Sequence, residues 1–356
     1  MSLFGDLYWG RTTFDVVASR RRWFALSAIL LVVSAGVFVF RGGFDLSVEF
    51  QGGTVVTIAN PDGASVGEVR DRVNALGITG ARVQVQESGG RTEIRVQTTR
   101  LDADREAALV VALAEVTGSD PAAISRQSVG PTFGRQIADA AVRALIVFLI
   151  VAALYMTWRL QWKMALVATV ALLHDLLATA GIYAIVGLEV SPATVIAVLT
   201  VLGYSLYDTV ILFDRVLESV KERGDRQTLT SIVNESFNGI LMRSINTTLT
   251  TLLPIGSLLL VGSFLLGATT LRAFAVALFI GITIGTYSTL FVAGPLYAAW
   301  GEREARWQRV RLRLDRKAGT AASVGAAPAD TGTRSAAIPS AGTATPRPPR
   351  KRRKSR

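Results

Sequence analysis

Apolar residues in this chain follow two rhythms. Near-continuous apolar runs, close to the roughly 17–25 residues needed to cross a bilayer, occupy residues 23–40, 141–158, 164–186, 191–213, 237–266 and 274–300. They predict six membrane-spanning helices, the fifth run being longer than one crossing requires. Between the first and second runs, residues 41–138, apolar positions come in short period-two stretches such as Thr54-Val55-Val56-Thr57-Ile58. That rhythm predicts strands, and a region of this size predicts a folded domain outside the membrane.

Inside that region Ser65 and Glu68 have the spacing of a capping box, ahead of a helix with Val66, Val69, Val73 and Leu76 on one face. Strands over 82–86 and 92–98 flank Gly89-Gly90 as a hairpin. A second helix over 102–116 points Leu109, Leu113 and Val116 inward, and a short strand follows near 124–129. The order β-α-β-β-α-β is the ferredoxin-like arrangement. The predicted fold is therefore a membrane α-helical, six-span bundle carrying one α+β ferredoxin-like extracytoplasmic domain.

The first run is preceded by Arg20, Arg21 and Arg22 and continues into Arg41-Gly42-Gly43 with no small-residue cleavage site, so it predicts an uncleaved span rather than a signal peptide. Cations gather on one side of the six runs, at Arg20–Arg22, Arg159 with Lys163, Arg215–Arg226 and Arg303–Lys317, while the turn at 187–189 has none and Arg272 lies just past the turn at 267–270. The positive-inside rule makes the cationic side cytoplasmic, with both termini there. The expected layout is a cytoplasmic N-terminus (1–22), span one (23–40), the extracytoplasmic domain (41–138), spans two to six (139–300) with a cytoplasmic loop near 215–236, and a basic, disordered cytoplasmic tail (301–356).

Composition agrees with this layout: 50% of residues are hydrophobic, 18% are charged and the mean hydropathy is +0.39. The lack of cysteine excludes disulfides, thiolate metal sites and cysteine nucleophiles, and the single histidine, His174, excludes a site needing two imidazoles. The net charge of +11 belongs to the tail, since residues 302–356 hold 15 of the 38 Lys and Arg and 4 of the 27 Asp and Glu. The run Arg350 to Lys354 lies among Pro, Ala, Gly, Ser and Thr and reads as a solvated tail, with no specific nucleic-acid partner expected.

Walker A, GxSxG, HExxH and GxGxxG patterns are missing from the sequence, so ATPase, hydrolase and dinucleotide readings lack a motif, and neither a cofactor nor a metal is expected. What remains is charge within the membrane. Asp175 and Asp208 lie inside predicted spans, where a carboxylate costs about 2.5–3.5 kcal/mol or more unless protonated, paired or hydrated. At about 1.5 Å per residue, Asp175 is roughly 18 Å beyond Lys163 and Asp208 roughly 9 Å before Asp214. The two could share a hydrated relay with Tyr204, Ser205, Tyr207 and Thr209 nearby, or each could be a buried acid hydrogen-bonded between helices. Asp214 and Arg243 form a second constellation near the inner surface. Either they pair, so that protonating Asp214 releases Arg243, or they are a surface carboxylate and a snorkelling arginine. His174 reads first as a packed hydrogen-bonding residue. Gly281 and Gly285 have GxxxG spacing and serve close helix packing within the bundle. The sequon at Asn246-Thr247-Thr248 falls in an apolar stretch near the inner face and is discarded.

These motifs resemble the SecF family, the smaller membrane subunit of the bacterial SecD-SecF protein-export complex, related to the resistance-nodulation-division (RND) transporters. The likeness spans residues 20–300 and rests on Phe44-Asp-Leu-Ser-Val-Glu-Phe-Gln-Gly-Gly-Thr54, Ser128-Val-Gly-Pro-Thr-Phe-Gly134 and His174-Asp175. It rests further on Gly203-Tyr-Ser-Leu-Tyr-Asp-Thr-Val-Ile-Leu-Phe-Asp-Arg215, Asn234-Glu-Ser236 and Arg243-Ser-Ile-Asn-Thr-Thr248. It implies an RND-type half-transporter in the bacterial cytoplasmic membrane, not an enzyme, that uses the proton motive force to promote protein translocation. Its implied partners are SecD, the SecYEG channel, the unfolded polypeptide and protons, with room for YajC. Proton transport in the family implicates the positions of Asp214 and Arg243. A further carboxylate in the family belongs to the SecD chain, at the place Asp208 holds in this chain's fourth span. Departures are Arg135-Gln136, where relatives often carry an acidic residue, and the basic tail. An RND-type exporter of small molecules or lipids, and a scaffold of the translocase that moves no protons, are the alternatives.

Overall fold

A computed structural model of the chain describes residues 14–88, 91–262 and 269–325, with backbone alone for 87, 88, 269 and 318–325. The hairpin tip at Gly89-Gly90, residues 263–268, which include the last four of the fifth apolar run, and the cationic run Arg350 to Lys354 lie outside the described residues. The chain divides into two units, Met1–Leu312 and Arg313–Arg356; the packing below belongs to the first.

Helix α1 (Arg20–Arg41) leads through the single turn α2 (Val48–Gln51) into β1 (Gly53–Ala59), α3 (Val66–Ala75), β2 (Arg82–Ser88), β3 (Arg91–Thr98), α4 (Ala103–Thr117) and β4 (Ser125–Val129). The strands form one antiparallel sheet in the order β2-β3-β1-β4. Local chemistry sets the helix starts. Ser65 Oγ accepts from the Glu68 amide while the Glu68 carboxylate accepts from the Ser65 amide, and Asp102 caps α4 by accepting from the Arg105 amide. Both helices then turn an apolar stripe onto the sheet. Val69, Val73, Leu109 and Leu113 pack with Val56, Ile58, Ile94 and Val96, all nearly inaccessible to solvent, and each such side chain contributes about 1.5–3 kcal/mol of burial. Leu76, expected on the inner face, is the C-cap of α3 and is exposed.

The chain enters and leaves this domain at one point. Gly52 has φ +76°, and a Cβ there would lie 2.7 Å from Pro131 Cα, while a Cβ on Gly134 would lie 2.8 Å from Phe50 O and 2.9 Å from Gly52 N. Only glycine at both positions lets α2 and the next helix touch backbone to backbone.

That helix, α5 (Pro131–Arg159), begins ten residues ahead of the apolar run because Pro131 is at its first turn. It is followed by α6 (Trp162–Val186), α7 (Pro192–Arg223), α8 (Leu229–Leu260) and α9 (Thr269–Ser288), then a π-helical turn at Thr289–Ala293 and α10 (Gly294–Gly301). Among the described residues five helices are long and apolar enough to cross a membrane: Arg20–Arg41, Pro131–Arg159, Trp162–Val186, Pro192–Arg223 and Thr270–Gly301. Helix α8, the expected fifth span, is not among them. It has 32 residues, but Arg243, Asn246, Thr247, Thr248, Thr250 and Thr251 lower the hydropathy of its described part, and residues 263–266 of the expected run lie outside the described residues. Four of those hydroxyls donate to carbonyls one turn back, from Arg243 to Thr247, which removes most of the penalty of placing them in an apolar medium.

Two expected stretches differ. The loop near 215–236 is helical except for residues 224–228, because α7 and α8 continue as a packed pair with Val216, Leu229, Ile232 and Val233 buried and Arg223 paired with Glu235. The tail begins as a helix, α11 (Ala305–Gly325), whose Trp307 and Val310 are buried. Sequence composition registers the charge of that segment and misses its two apolar anchors.

Candidate functional site

Helix α7 runs through the middle of the bundle, against α6, α8 and α9. Pro192 and a Ser191–Thr194 capping box start it. One face then carries Ser205, Asp208 and Thr209, all buried, where helical spacing of three to four residues puts them in line. Each meets a polar group on a neighbouring helix. Ser205 Oγ donates to Asp175 Oδ2 on α6 at 2.5 Å; Ser244 Oγ on α8 sits 3.0 and 3.2 Å from the two Asp208 oxygens; and Thr209 shares a 2.9 Å hydrogen bond with Thr289. A further pair, Thr248 with Thr286 at 2.8 Å, joins α8 to α9.

Asp175 is 0% exposed and Asp208 6%. His174 Nδ1 lies 3.3 Å from Asp175 Oδ1, and the other ring nitrogen, Nε2, is buried without a hydrogen-bond partner. The imidazole therefore packs beside the carboxyl and also stands 6.3 Å from the Tyr287 ring. A carboxyl group held only by hydroxyls and one imidazole in an apolar bundle is costly as an anion and inexpensive as an acid. This spine can hold protons at two depths.

Close packing keeps the spine dry. Gly281 and Gly285 face α7: a Cβ at 281 would lie 2.8 Å from the Val201 side chain, and one at 285 would lie 3.0 Å from Ser205 Cβ. A larger residue at 285 would press on the hydroxyl that holds Asp175. Where α9 passes into the π turn, Ser288 and Thr289 are fully out of solvent. Such turns insert one extra residue into a helix and recur at functional sites.

The second constellation is arranged differently from a direct pair. Asp214, in the last third of α7, is bonded to Arg159 Nη2 at 2.6 Å, with the two side chains 34% and 47% exposed. Arg243 is exposed on α8 and donates to the Tyr207 hydroxyl at 3.2 Å. In this structure Asp214 and Arg243 thus have separate partners, although Arg243 immediately precedes the serine that holds Asp208 and is close enough to act on it electrostatically. Ser244, Ser288, Thr289 and Arg159 escape sequence reading as site residues. The spacing of Ser244, Thr248 and Thr251, a polar stripe at i, i+4 and i+7 in an apolar run, is the signal that would have found the first.

Residues 110–303 match the family model for the C-terminal region of the SecD/SecF protein export membrane proteins. A protein translocase subunit SecF from Mycobacterium tuberculosis (strain CDC 1551) is 42% identical over 313 residues, 85% of this chain and 70% of the relative. One from Streptomyces coelicolor is 37% identical over 321 residues, covering 90% and 85%. Among solved structures, the crystal structure of SecDF, a translocon-associated membrane protein from Thermus thermophilus, superposes with a TM-score of 0.74 at 32% identity. That match covers 85% of this chain and 40% of the SecDF chain, so the present chain spans less than half of that longer protein. Multiple apolar helices and these relatives make it a multi-pass membrane protein, and the chain belongs to the SecD/SecF family of protein export membrane proteins.

Proposed function

We propose that this chain is the SecF-type half of a SecD–SecF complex, a non-enzymatic subunit that uses the proton motive force to promote polypeptide translocation through a SecYEG channel. The observation that carries the reading is the spine on α7, with Asp175 held by Ser205 and Asp208 held by Ser244, both out of solvent. In this reading α8 is a sixth span, tolerated because its threonines satisfy themselves and because a partner subunit covers it. The βαββαβ domain, with its 2-3-1-4 sheet, is ferredoxin-like and lies outside the bacterial cytoplasmic membrane, both termini are cytoplasmic, and protons pass between Asp175, Asp208 and Asp214. Arg243 responds to the charge of Asp208, and Arg159 holds Asp214 in the state seen here. A scaffold that moves no protons is the second reading, favoured by the half-exposed Asp214–Arg159 pair, which is an ordinary interfacial salt bridge.

Protein export into membrane vesicles containing the assembled complex, with and without a proton gradient, separates the two. Asp175→Asn, Asp208→Asn and Asp214→Asn are expected to assemble to wild-type levels and to lose the gradient-dependent part of export by tenfold or more, a loss of about 1.4 kcal/mol or more in the coupled step. Full gradient response in all three would leave the scaffold reading.

A further inference from the structure

At the junction between the sheet domain and the bundle, buried acceptor atoms lack donors. The turn between α6 and α7 reaches into the domain: the Val190 amide donates to Asp45 O at 2.7 Å and the Ser47 amide donates to Val190 O at 2.9 Å. Beside this bridge, Arg95 Nη1 on β3 donates to Glu189 Oε2 at 2.9 Å, with side chains only 15% and 22% exposed. The second oxygen, Glu189 Oε1, is buried without a hydrogen-bond partner, and so are Glu49 Oε2 and Ser47 Oγ. Ser47 is 1% exposed, and Ser47, Glu49, Glu189, Arg95 and Gln127 line one cavity. Gln127 Nε2 donates to Glu49 Oε1 at 3.2 Å, leaving Oε2 as the orphan.

Ionised carboxylates only accept hydrogen bonds. Two of them facing one cavity leave both orphan oxygens unsatisfied and repel each other, whereas one added proton makes a donor for the neighbouring oxygen. The groups acting on Glu189 are Arg95 from β3, Arg82 from β2 and Glu49 from α2. The Arg41 guanidinium at the end of α1 packs where a Gly187 side chain would be, and α9 contributes the uncharged Thr270 and Ala273. We propose that Glu189 takes up one proton when the sheet domain is seated on the α6–α7 turn, beside Glu49, so that seating the domain is itself a proton-binding step.

The sign follows from where the carboxyl prefers its proton. Burial pushes the Glu189 carboxyl up, with the Arg95 charge opposing it and the Glu49 charge adding to it. In the seated state its pKa is raised, and in an unseated, hydrated turn it returns to the ordinary range near about 4.3. Seating therefore strengthens as pH falls from the raised value toward that range, by up to about tenfold per pH unit for one proton, and is flat above the raised value. A latch made only by the Arg95–Glu189 ion pair would have the opposite sign, weakening as the carboxylate is protonated.

Hydrogen exchange of the Ser47 and Val190 amides reads seating directly, in the full-length protein in lipid nanodiscs across pH 4.5–8 and after correction for intrinsic exchange. Amides of the β1–β3 ladder serve as the folding control. The expected result is protection that falls several-fold as pH rises. Glu189→Gln is expected to hold the low-pH protection at every pH, and Glu49→Gln, which supplies an amide donor to Glu189, to flatten the same profile. Protection that rises with pH in the wild type, or a wild-type slope that survives in both variants, would overturn the proposal. If Glu189→Gln loses the control ladder, Glu49→Gln alone decides. Asp175, Asp208 and Asp214 play no part in this readout, so its failure leaves the proposed relay untouched.

Discussion

The sheet domain and the helical bundle both bury apolar side chains, but among the described residues only the bundle encloses carboxyl groups, and the two expose opposite chemistry. In the domain, valine, leucine and isoleucine from α3, α4 and three strands fill the interior, while charged pairs such as Arg72–Glu115 sit outside, half exposed. In the bundle, Asp175, Asp208, Thr209, Ser288 and Thr289 are inside, while Ile146, Ile150 and Leu154 of α5 stand exposed. Water makes the first arrangement stable and a lipid surround makes the second stable. A polar residue is thus ordinary on the surface of one region and a functional signal in the core of the other. An apolar contact carries stability in the first and packing geometry in the second.

The largest effect expected is on the domain. Leu109→Ala removes a fully buried side chain from the small core and should destabilise the domain by about 2–5 kcal/mol, seen as faster hydrogen exchange across β1 and β3 with the helices unchanged. The matching truncation on the bundle's outer face, Ile150→Ala at a position 54% exposed, should shift the melting temperature in detergent by little, since about 0.5 kcal/mol is the usual limit for such sites. Equal losses at both positions would mean that the two regions are not stabilised differently.

A smaller effect sharpens the contrast from the polar side. Ser244→Ala strips Asp208 of the hydroxyl that lies against both of its oxygens, leaving a buried acceptor group at a cost of about 1–3 kcal/mol. The double variant Asp208→Leu with Ser244→Ala removes both partners and should recover most of that loss in thermal unfolding, because the penalty lies in the orphaned group. A double variant as unstable as the single one would place the cost in packing instead.

Sequence reading succeeded where a pattern is local. The Ser65–Glu68 box and the inward stripe of α4 are relations over three or four residues, and each lies where local propensity puts it. Asp175 and Asp208 were flagged by depth alone, since counting residues into a helix needs no partner. What the sequence could not carry was pairing between distant helices. Ser244 is 36 residues from Asp208 and Arg159 is 55 from Asp214, and no periodicity links them. The stretch near 215–236 is mostly helical for a related reason, because charges at a membrane edge mark where lipid ends, whereas α7 and α8 continue as far as they bury apolar side chains such as Val216 and Ile232. The π turn at Thr289–Ala293 leaves no trace in an apolar run.

The smallest change in stability could be the most informative about mechanism. Arg159→Gln breaks a pair whose members are 47% and 34% exposed, and such pairs contribute about 0–1 kcal/mol, so the melting temperature should barely move. Its effect on export depends on what Asp214 does. If Asp214 is the inner station of a proton path, Arg159 is the cation that holds it in place between proton arrivals. Its removal should then cut gradient-driven export several-fold, with Arg159→Lys restoring a large share through the same charge. If Asp214 is an interfacial carboxylate, neither substitution should alter the response to the gradient. The comparison is then between two ion pairs of similar length, Arg159–Asp214 and Arg82–Asp45 in the domain at 2.7 Å. Substituting Arg82 by Gln provides the control, since it should leave both stability and the gradient response within the same narrow range.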